Sequence, residues 1–410
     1  MTVITGIRAR NVGYSRDPET LRAHLVSNTA IFEDYRDRPG GWFGDSFCTL
    51  VEVETSDGVI GVGTAGAFSG AAKHIVEDYL ADLVLGLDVR DHERLWQRMY
   101  RTTVRFGRRG AAVAAISAVD IACWDAHGLT AGRPVVELLG GSTRSSAPVY
   151  ASRLYALEDL DALAAEARGY VEAGFTRMKQ RFGFGPKDGP AGMRRNVELV
   201  ATVRDAVGPD VELAADAYMG WDFGYALQMA ERLREFGLSW IEEPLMPEQT
   251  DRYAELRERV PWQRWSCGEH SYTKWDFAEL IAKRATDILQ PDVNRTGGLT
   301  EGRKIAALAE TAGLPVVPHS NEAHNLALIF SQFPHVCPVV EYFPDVEPDT
   351  GNELFWKLHE GNPSAEAGEI RPPAGPGLGI SLRADVVASL LTEDGTWHRQ
   401  RTTKGGLSQP

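Results

Sequence analysis

Three acids, Asp216, Glu242 and Glu269, each close a short apolar run in the middle of the chain. The clearest run is Leu238-Ser239-Trp240-Ile241-Glu242-Glu243-Pro244, where Pro244 withholds the N–H that would prolong a strand and leaves the acids at its carboxyl end. Asp292 and His319 end two further runs, and the steps from 216 through 242, 269 and 292 to 319 are 26, 27, 23 and 27 residues. A strand, loop and helix of a parallel barrel take about 30 residues, and the carboxyl ends of such strands form the active face. Three carboxylates without cysteine or histidine make a hard oxygen site that suits Mg²⁺, with Mn²⁺ as a substitute, better than Zn²⁺. Any one of them alone is as readily a helix N-cap; three at this pitch are harder to explain so. Glu243 rivals Glu242, and strand alternation predicts that only one of the two faces the ion. Asp292 beside His319 is the arrangement that fixes an imidazole tautomer and makes a general base. Lys179 and Arg181 alternate on one strand and face one side together, where they hold a substrate carboxylate or form a salt bridge between barrel layers.

The elements that must carry these residues follow the same rhythm. Strand candidates are 147–154, 177–182, 211–218, 238–244, 265–270, 287–292, 314–320 and 336–343, with helical stretches between most of them. Residues 192–207, for example, place Val197, Val200, Val203 and Val207 along one side. The first 145 residues differ. Thr49–Glu54 and Val59–Gly63 flank Asp57-Gly58 as a hairpin, and Ala111–Ala126 repeats apolar residues at helical spacing, its alanines predicting close packing. Residues 15–45 are polar and irregular, and are expected to form a lid. Residues 361–379 are rich in glycine and proline and read as a connection. The expected fold is α/β: a modified TIM barrel, (β/α)7β-like, over 146–360, with an α+β capping domain from 1–145 completed by about 361–410.

Bulk properties narrow the function. A net charge of −14 argues against a nucleic-acid partner but allows an anionic small substrate, since a metal and a few local cations reverse the potential inside one pocket. Cys48, Cys123, Cys267 and Cys337 show no CxxC spacing and read as reduced, buried thiols. The N-terminus has no signal-like apolar core, so a cytoplasmic protein without a membrane partner is expected, as a homo-oligomer. Gly183-x-Gly185 lacks the Gly-Lys-Ser/Thr of a phosphate loop, and the Asn294-Arg295-Thr296 sequon carries no meaning at a barrel mouth.

In the order Lys179-x-Arg181, Asp216, Glu242-Glu243-Pro244, Gly268-Glu269, Pro291-Asp292, Gly297-Gly298 and Pro318-His319, the chain resembles the enolase superfamily, mandelate racemase subgroup. Ala115–Asp125 and Leu139-Gly140-Gly141 are similar to that superfamily's capping domain. Within the subgroup, Arg181–Pro186, Tyr218–Asp222 and Gly268-Glu269-His270 resemble acid-sugar dehydratases of the L-rhamnonate dehydratase type. The resemblance implies abstraction of the proton α to a carboxylate with Mg²⁺ stabilising an enediolate, then loss of the 3-hydroxyl to give a 2-keto-3-deoxy acid. It maps the eighth-strand acid onto Glu341, which would hydrogen-bond the substrate carboxylate or the intermediate. His24, Trp42, His270 and Arg295 are the expected substrate contacts. Two departures stand out. Arg181 replaces the second lysine of many relatives and, always protonated, is a poor base, which favours a one-base dehydratase over a two-base racemase. Ser320–Asn325 replaces a Gly-Ser-Ser-Val-Tyr type loop. The rival readings are an epimerase, racemase or cycloisomerase of the same superfamily, and a non-catalytic sugar-binding barrel.

Overall fold

A computed structural model describes residues 2–15, 23–32, 45–66, 70–344 and 354–399. Most of the lid expected over 15–45, Trp42 included, lies outside the described residues.

Seven parallel strands form the curled central sheet: Ala147–Ser152, Arg177–Arg181, Glu212–Asp216, Ile241–Glu242, Trp265–Cys267, Ile288–Leu289 and Val340–Tyr342. The last pairs with the first, Glu341 opposite Tyr150, so the sheet bends back on itself. The run expected as a strand over 314–320 is not one. It joins its neighbour only by an isolated bridge, Leu289 to Val316. Pro315 and Pro318 cannot donate to a ladder, which leaves Val316, Val317 and His319 to carry its backbone bonds to Val336, Leu289 and Pro291. Two other strands, Ile241–Glu242 and Ile288–Leu289, are shorter than their apolar runs for a related reason: Pro244 and Pro291 stand just beyond them.

Inside the sheet, Tyr150, Ala214, Trp240, Ile288, Val317 and Val339 pack into one apolar layer. Residues two further along a strand stand directly above it. These are Asp216 over Ala214, Glu242 over Trp240, and Gln290 over Ile288. The charged mouth therefore rests on an apolar floor.

The second unit is an antiparallel sheet of Ile4–Ser15, Asp45–Thr55 and Ile60–Ala65. Strands Leu391–Glu393 and His398–Arg399, from the far end of the chain, pair with its first strand. Against this sheet lies the helix Ala111–Ala131, buried on every side from Ala112 to Ala126 rather than along one stripe. It is long and apolar enough to cross a membrane by length and composition, yet it is a core helix here. Two glycines let the sheet approach it. A Cβ at Gly63 would stand 2.1 Å from the Ala118 carbonyl oxygen, and one at Gly61 2.2 Å from that of Ala122. The helix is also bonded to the start of the helix Gly298–Ala312, beyond the sixth strand. Gly297 N–H donates to Ser117 Oγ (2.8 Å), Thr300 N–H to Asp120 Oδ2 (3.0 Å), and Trp124 Nε1 to Thr300 Oγ1 (3.0 Å). Gly298, at φ +77°, lies so close that a Cβ would stand 2.3 Å from Asp120 Oδ2. All four cysteines are free and buried.

Because backbone rather than flexible side chain opposes Gly63, the Gly63→Ala variant must part sheet and helix. Its stability should fall by about 3 kcal/mol, the upper end of overpacking costs. Urea unfolding measures it, and a midpoint equal to wild type would show that the contact yields freely.

Candidate active site

Asp216 and Glu242 are register partners on adjacent strands, and Ser266 pairs with Glu242 on the next, three residues before Glu269. All three acids are buried, as are Glu243, Asp292 and Glu341. Six carboxylates thus meet at one rim, in a place where an uncompensated charge costs several kcal/mol. Three permanent cations answer them. Lys179, fully buried, lies 2.6 Å from Glu242 Oε1 and 2.7 Å from Glu341 Oε1. Arg181 binds Asp216 Oδ2. Arg295 reaches Glu269 Oε1 at 3.2 Å and Asp292 Oδ2 at 3.1 Å. Lys179 and Arg181 do face one side together, and there they form ion pairs. With all six acids ionised the rim keeps an excess of three negative charges over these cations, and of two once His319 is protonated.

The imidazoles flank Glu269. His319 Nε2 is 3.5 Å from Glu269 Oε2, and His270 Nδ1 is 3.7 Å from Glu269 Oε1. Each ring also has its own acid: Asp292 Oδ2 at 3.0 Å from His319 Nδ1, and Glu243 Oε2 at 2.8 Å from His270 Nδ1. Asp292 is an N-cap and a dyad partner at once. Its Oδ1 accepts the Asn294 N–H at 2.8 Å, which leaves Oδ2 for His319.

Strand alternation does not separate Glu242 from Glu243. The strand ends at Glu242, and Glu243 takes φ +37°, a left-handed conformation costly for a residue with a Cβ. That turn buries both side chains at the rim. Tyr218 (φ +41°) and Ser320 (φ +75°) carry the same strain at two other strand tips. Each gives its N–H to a rim carboxylate, Tyr218 to Asp216 Oδ1 at 2.7 Å and Ser320 to Glu341 Oε2 at 2.8 Å.

Burial alone would lower the pKa of His319, but Glu269, Glu341 and Asp292 around it raise it to about 10. Burial likewise opposes Glu341, yet Lys179, His319 and Arg181 bring it down to about 2. Glu269 falls below its usual range against burial, through His319, His270 and Arg295. Glu242 rises to about 7, because burial outweighs Lys179 and the neighbouring acids add to it. Lys179 is nonetheless raised against burial, since it answers two carboxylates while Glu242 shares one lysine.

Hard oxygen donors and surplus negative charge suit a divalent cation such as Mg²⁺. Among the described residues, the set of candidate ligand atoms lying within 4.8 Å of one another is that of Glu243, Glu269 and His270. Asp216 and Glu242, instead, are turned onto Arg181 and Lys179. Of the other expected contacts, His24 is exposed, its Nε2 pairing with Glu158 Oε1 and its ring standing 5.2 Å from Phe184, away from the rim carboxylates. The sequence reading missed Gln290 and Trp240, which donate to Glu242 Oε2 at 2.8 and 3.2 Å. Their spacing of two from Ile288 and Glu242 was the available signal.

Family models match on both units: Mandelate racemase / muconate lactonizing enzyme, N-terminal domain, over residues 43–140, and Enolase C-terminal domain-like over 162–386. The chain is 35% identical to an L-rhamnonate dehydratase of Saccharopolyspora erythraea, over 88% of this chain and 90% of that protein. It is 37% identical to an arabinonate dehydratase of Saccharolobus solfataricus, over 82% and 88%. The crystal structure of rhamnonate dehydratase from Gibberella zeae complexed with Mg superposes with a TM-score of 0.81 at 30% identity, over 95% of this chain and 96% of that one.

Lys179 is the group whose loss the rim should tolerate least. Lys179→Met leaves Glu242 and Glu341 facing each other unpaired and should cost about 3–5 kcal/mol in urea unfolding with EDTA present. Adding Glu341→Gln should recover part of the loss. A double variant as unstable as the single one would show that charge is not the cause.

Proposed function

The chain belongs to the mandelate racemase/muconate lactonizing enzyme family of the enolase superfamily, and from that premise we propose that it is a Mg²⁺-dependent acid-sugar dehydratase. Its substrate is an aldonate such as L-rhamnonate or a related sugar acid, and its product a 2-keto-3-deoxy acid. The observation that carries this reading is the Asp292–His319 dyad, with His319 Nε2 directed into the carboxylate rim.

Asp216, Glu242 and Glu269 are the residues we assign to Mg²⁺, as acids on successive strand ends with two in direct register. Glu243, held by His270, is the alternative to Glu242. When bound, the ion supplies positive charge to the substrate carboxylate as negative charge builds there. His319 Nε2 takes the C2 proton while Asp292 fixes Nδ1, so the proton has one place to go. The electron pair left at C2 spreads into the carboxylate as an enediolate. As it returns, the C3–O bond breaks, the 3-hydroxyl leaves with the proton from His319 as water, and the enol tautomerises to the keto acid. Arg181 cannot take a proton near neutral pH, which favours a one-base dehydratase using His319 over a two-base racemase. Lys179 and Glu341 hold the rim's charge balance. We place His24, His270 and Arg295, with Trp42 in the segment before the first hairpin strand, around the sugar.

A panel of acid sugars, L-rhamnonate and arabinonate first, tests the reading through semicarbazide trapping of keto product. Loss of water is the expected result; epimerised sugar without keto product would make the enzyme an isomerase. His319→Asn should abolish dehydration while Mn²⁺ still binds, and Asp292→Asn should lose most of it. Dialysis against EDTA should remove activity and Mg²⁺ restore it. Glu242→Gln should weaken Mn²⁺ binding more than Glu243→Gln, and the reverse order would give Glu242's place to Glu243.

A further inference from the structure

The strand tips that carry Asp292 and His319 are joined by unusually little backbone. Between them stand one isolated bridge, at Leu289 and Val316, and the His319 N–H bond to the Pro291 carbonyl at 3.0 Å. Pro291 and Pro315 lack donors that this ladder would use, while Pro318 stands at a position that faces the opposite neighbour. A side chain spans the gap. Asn325, fully buried at the start of the helix Ala323–Ser331, accepts the Val293 N–H on Oδ1 (3.2 Å) and donates from Nδ2 to the His319 carbonyl (3.0 Å). One partner is a donor and the other an acceptor, so the amide fits in a single orientation. Val293 directly follows Asp292.

We propose that Asn325 is a positioning residue for the dyad, bridging the Val293 N–H and the His319 carbonyl beyond the last direct backbone bond and so fixing His319 relative to Asp292. It lies in the first turn of that helix, at the end of the Ser320–Asn325 stretch that stands where the resemblance predicts a Gly-Ser-Ser-Val-Tyr type loop. The inference rests on the reading of His319 as the base. It acts through backbone: the amide sets the separation of two main chains, and the side chains they carry inherit it. A misplacement of about 1 Å costs on the order of 100-fold in rate.

Asn325→Asp is the discriminating change. Ionised, it still accepts from Val293 N–H but sets a carboxylate oxygen against the His319 carbonyl, so one of the two bonds becomes repulsive. With L-rhamnonate or arabinonate, kcat should fall by roughly 10–100-fold with KM within about threefold of wild type. Exchange of the substrate α-proton in D₂O should slow in step, and Mn²⁺ affinity should hold. The ¹⁵N resonances of the His319 ring, recognised by their disappearance in His319→Asn, should move in Asn325→Asp, and this readout needs no substrate. Unmoved ring resonances, or kcat within about twofold of wild type in folded protein, would overturn the inference. A lower melting temperature with unchanged kcat and resonances would do the same, since it marks a packing role alone. The two readings separate cleanly. An inactive His319→Asn beside a fully active Asn325→Asp rejects the positioning role only, whereas an active His319→Asn rejects His319 as base.

Discussion

The constraint on which the rest depends is the surplus of negative charge buried at the barrel mouth. Six carboxylates stand within a rim that rests on an apolar layer. Burying unpaired charge is expensive, and pairing it recovers that cost only with close geometry and full hydrogen bonding. The rim meets the condition locally. Lys179 is shared between Glu242 and Glu341, Arg295 between Glu269 and Asp292, and Arg181 holds Asp216. What these cations leave uncompensated is the charge a divalent ion would meet. The features that attract a metal are therefore the ones that make the empty rim costly to fold.

Strain at the strand tips is the second part of the same design. Tyr218, Glu243 and Ser320 adopt positive φ where each strand gives way to its loop. In two of them the turn delivers a backbone N–H to a rim carboxylate, and in the third it brings a second carboxylate beside the first. A regular strand end could do neither, because alternation sends every second side chain to the outer face. The surrounding packing holds these residues in conformations they would leave if free.

The antiparallel unit matters to the site through one helix. Ala111–Ala131 is bonded at Ser117, Asp120 and Trp124 to Gly297 and Thr300, where the short helix Val293–Thr296 meets the helix Gly298–Ala312. The short helix, capped by Asp292, carries Asn294, which anchors Asp292 Oδ1 and takes a hydrogen bond from Thr64 at the end of the hairpin. Gly66 closes against Arg295, where a Cβ would meet its side chain at 3.1 Å. The position of the dyad is thus fixed from both units, which ties access from the capping side to the chemistry on the barrel side.

Much of this was written in the chain. Periodic apolar runs, each ended by an acid or a histidine, identified the barrel and named Asp216, Glu242, Glu269, Asp292 and His319, because strand period and strand spacing are local properties that survive in sequence. The dense alanines of 111–126 announced the close helix, although only the fold revealed that Gly61 and Gly63 admit it. The proline-flanked run over 314–320 read as a strand, and its missing donors made it a bridged segment instead. Which partners the charges take was decided in three dimensions. Lys179 and Arg181 were open to either a substrate or a salt bridge, and they found carboxylates brought from strands 35 to 162 residues away. Glu243 could not be placed by alternation, since its φ answers to the loop that follows. Pairing Glu243 with His270 and setting Asn325 between two strand tips need a closed barrel, and no pattern along one strand encodes the distance to another.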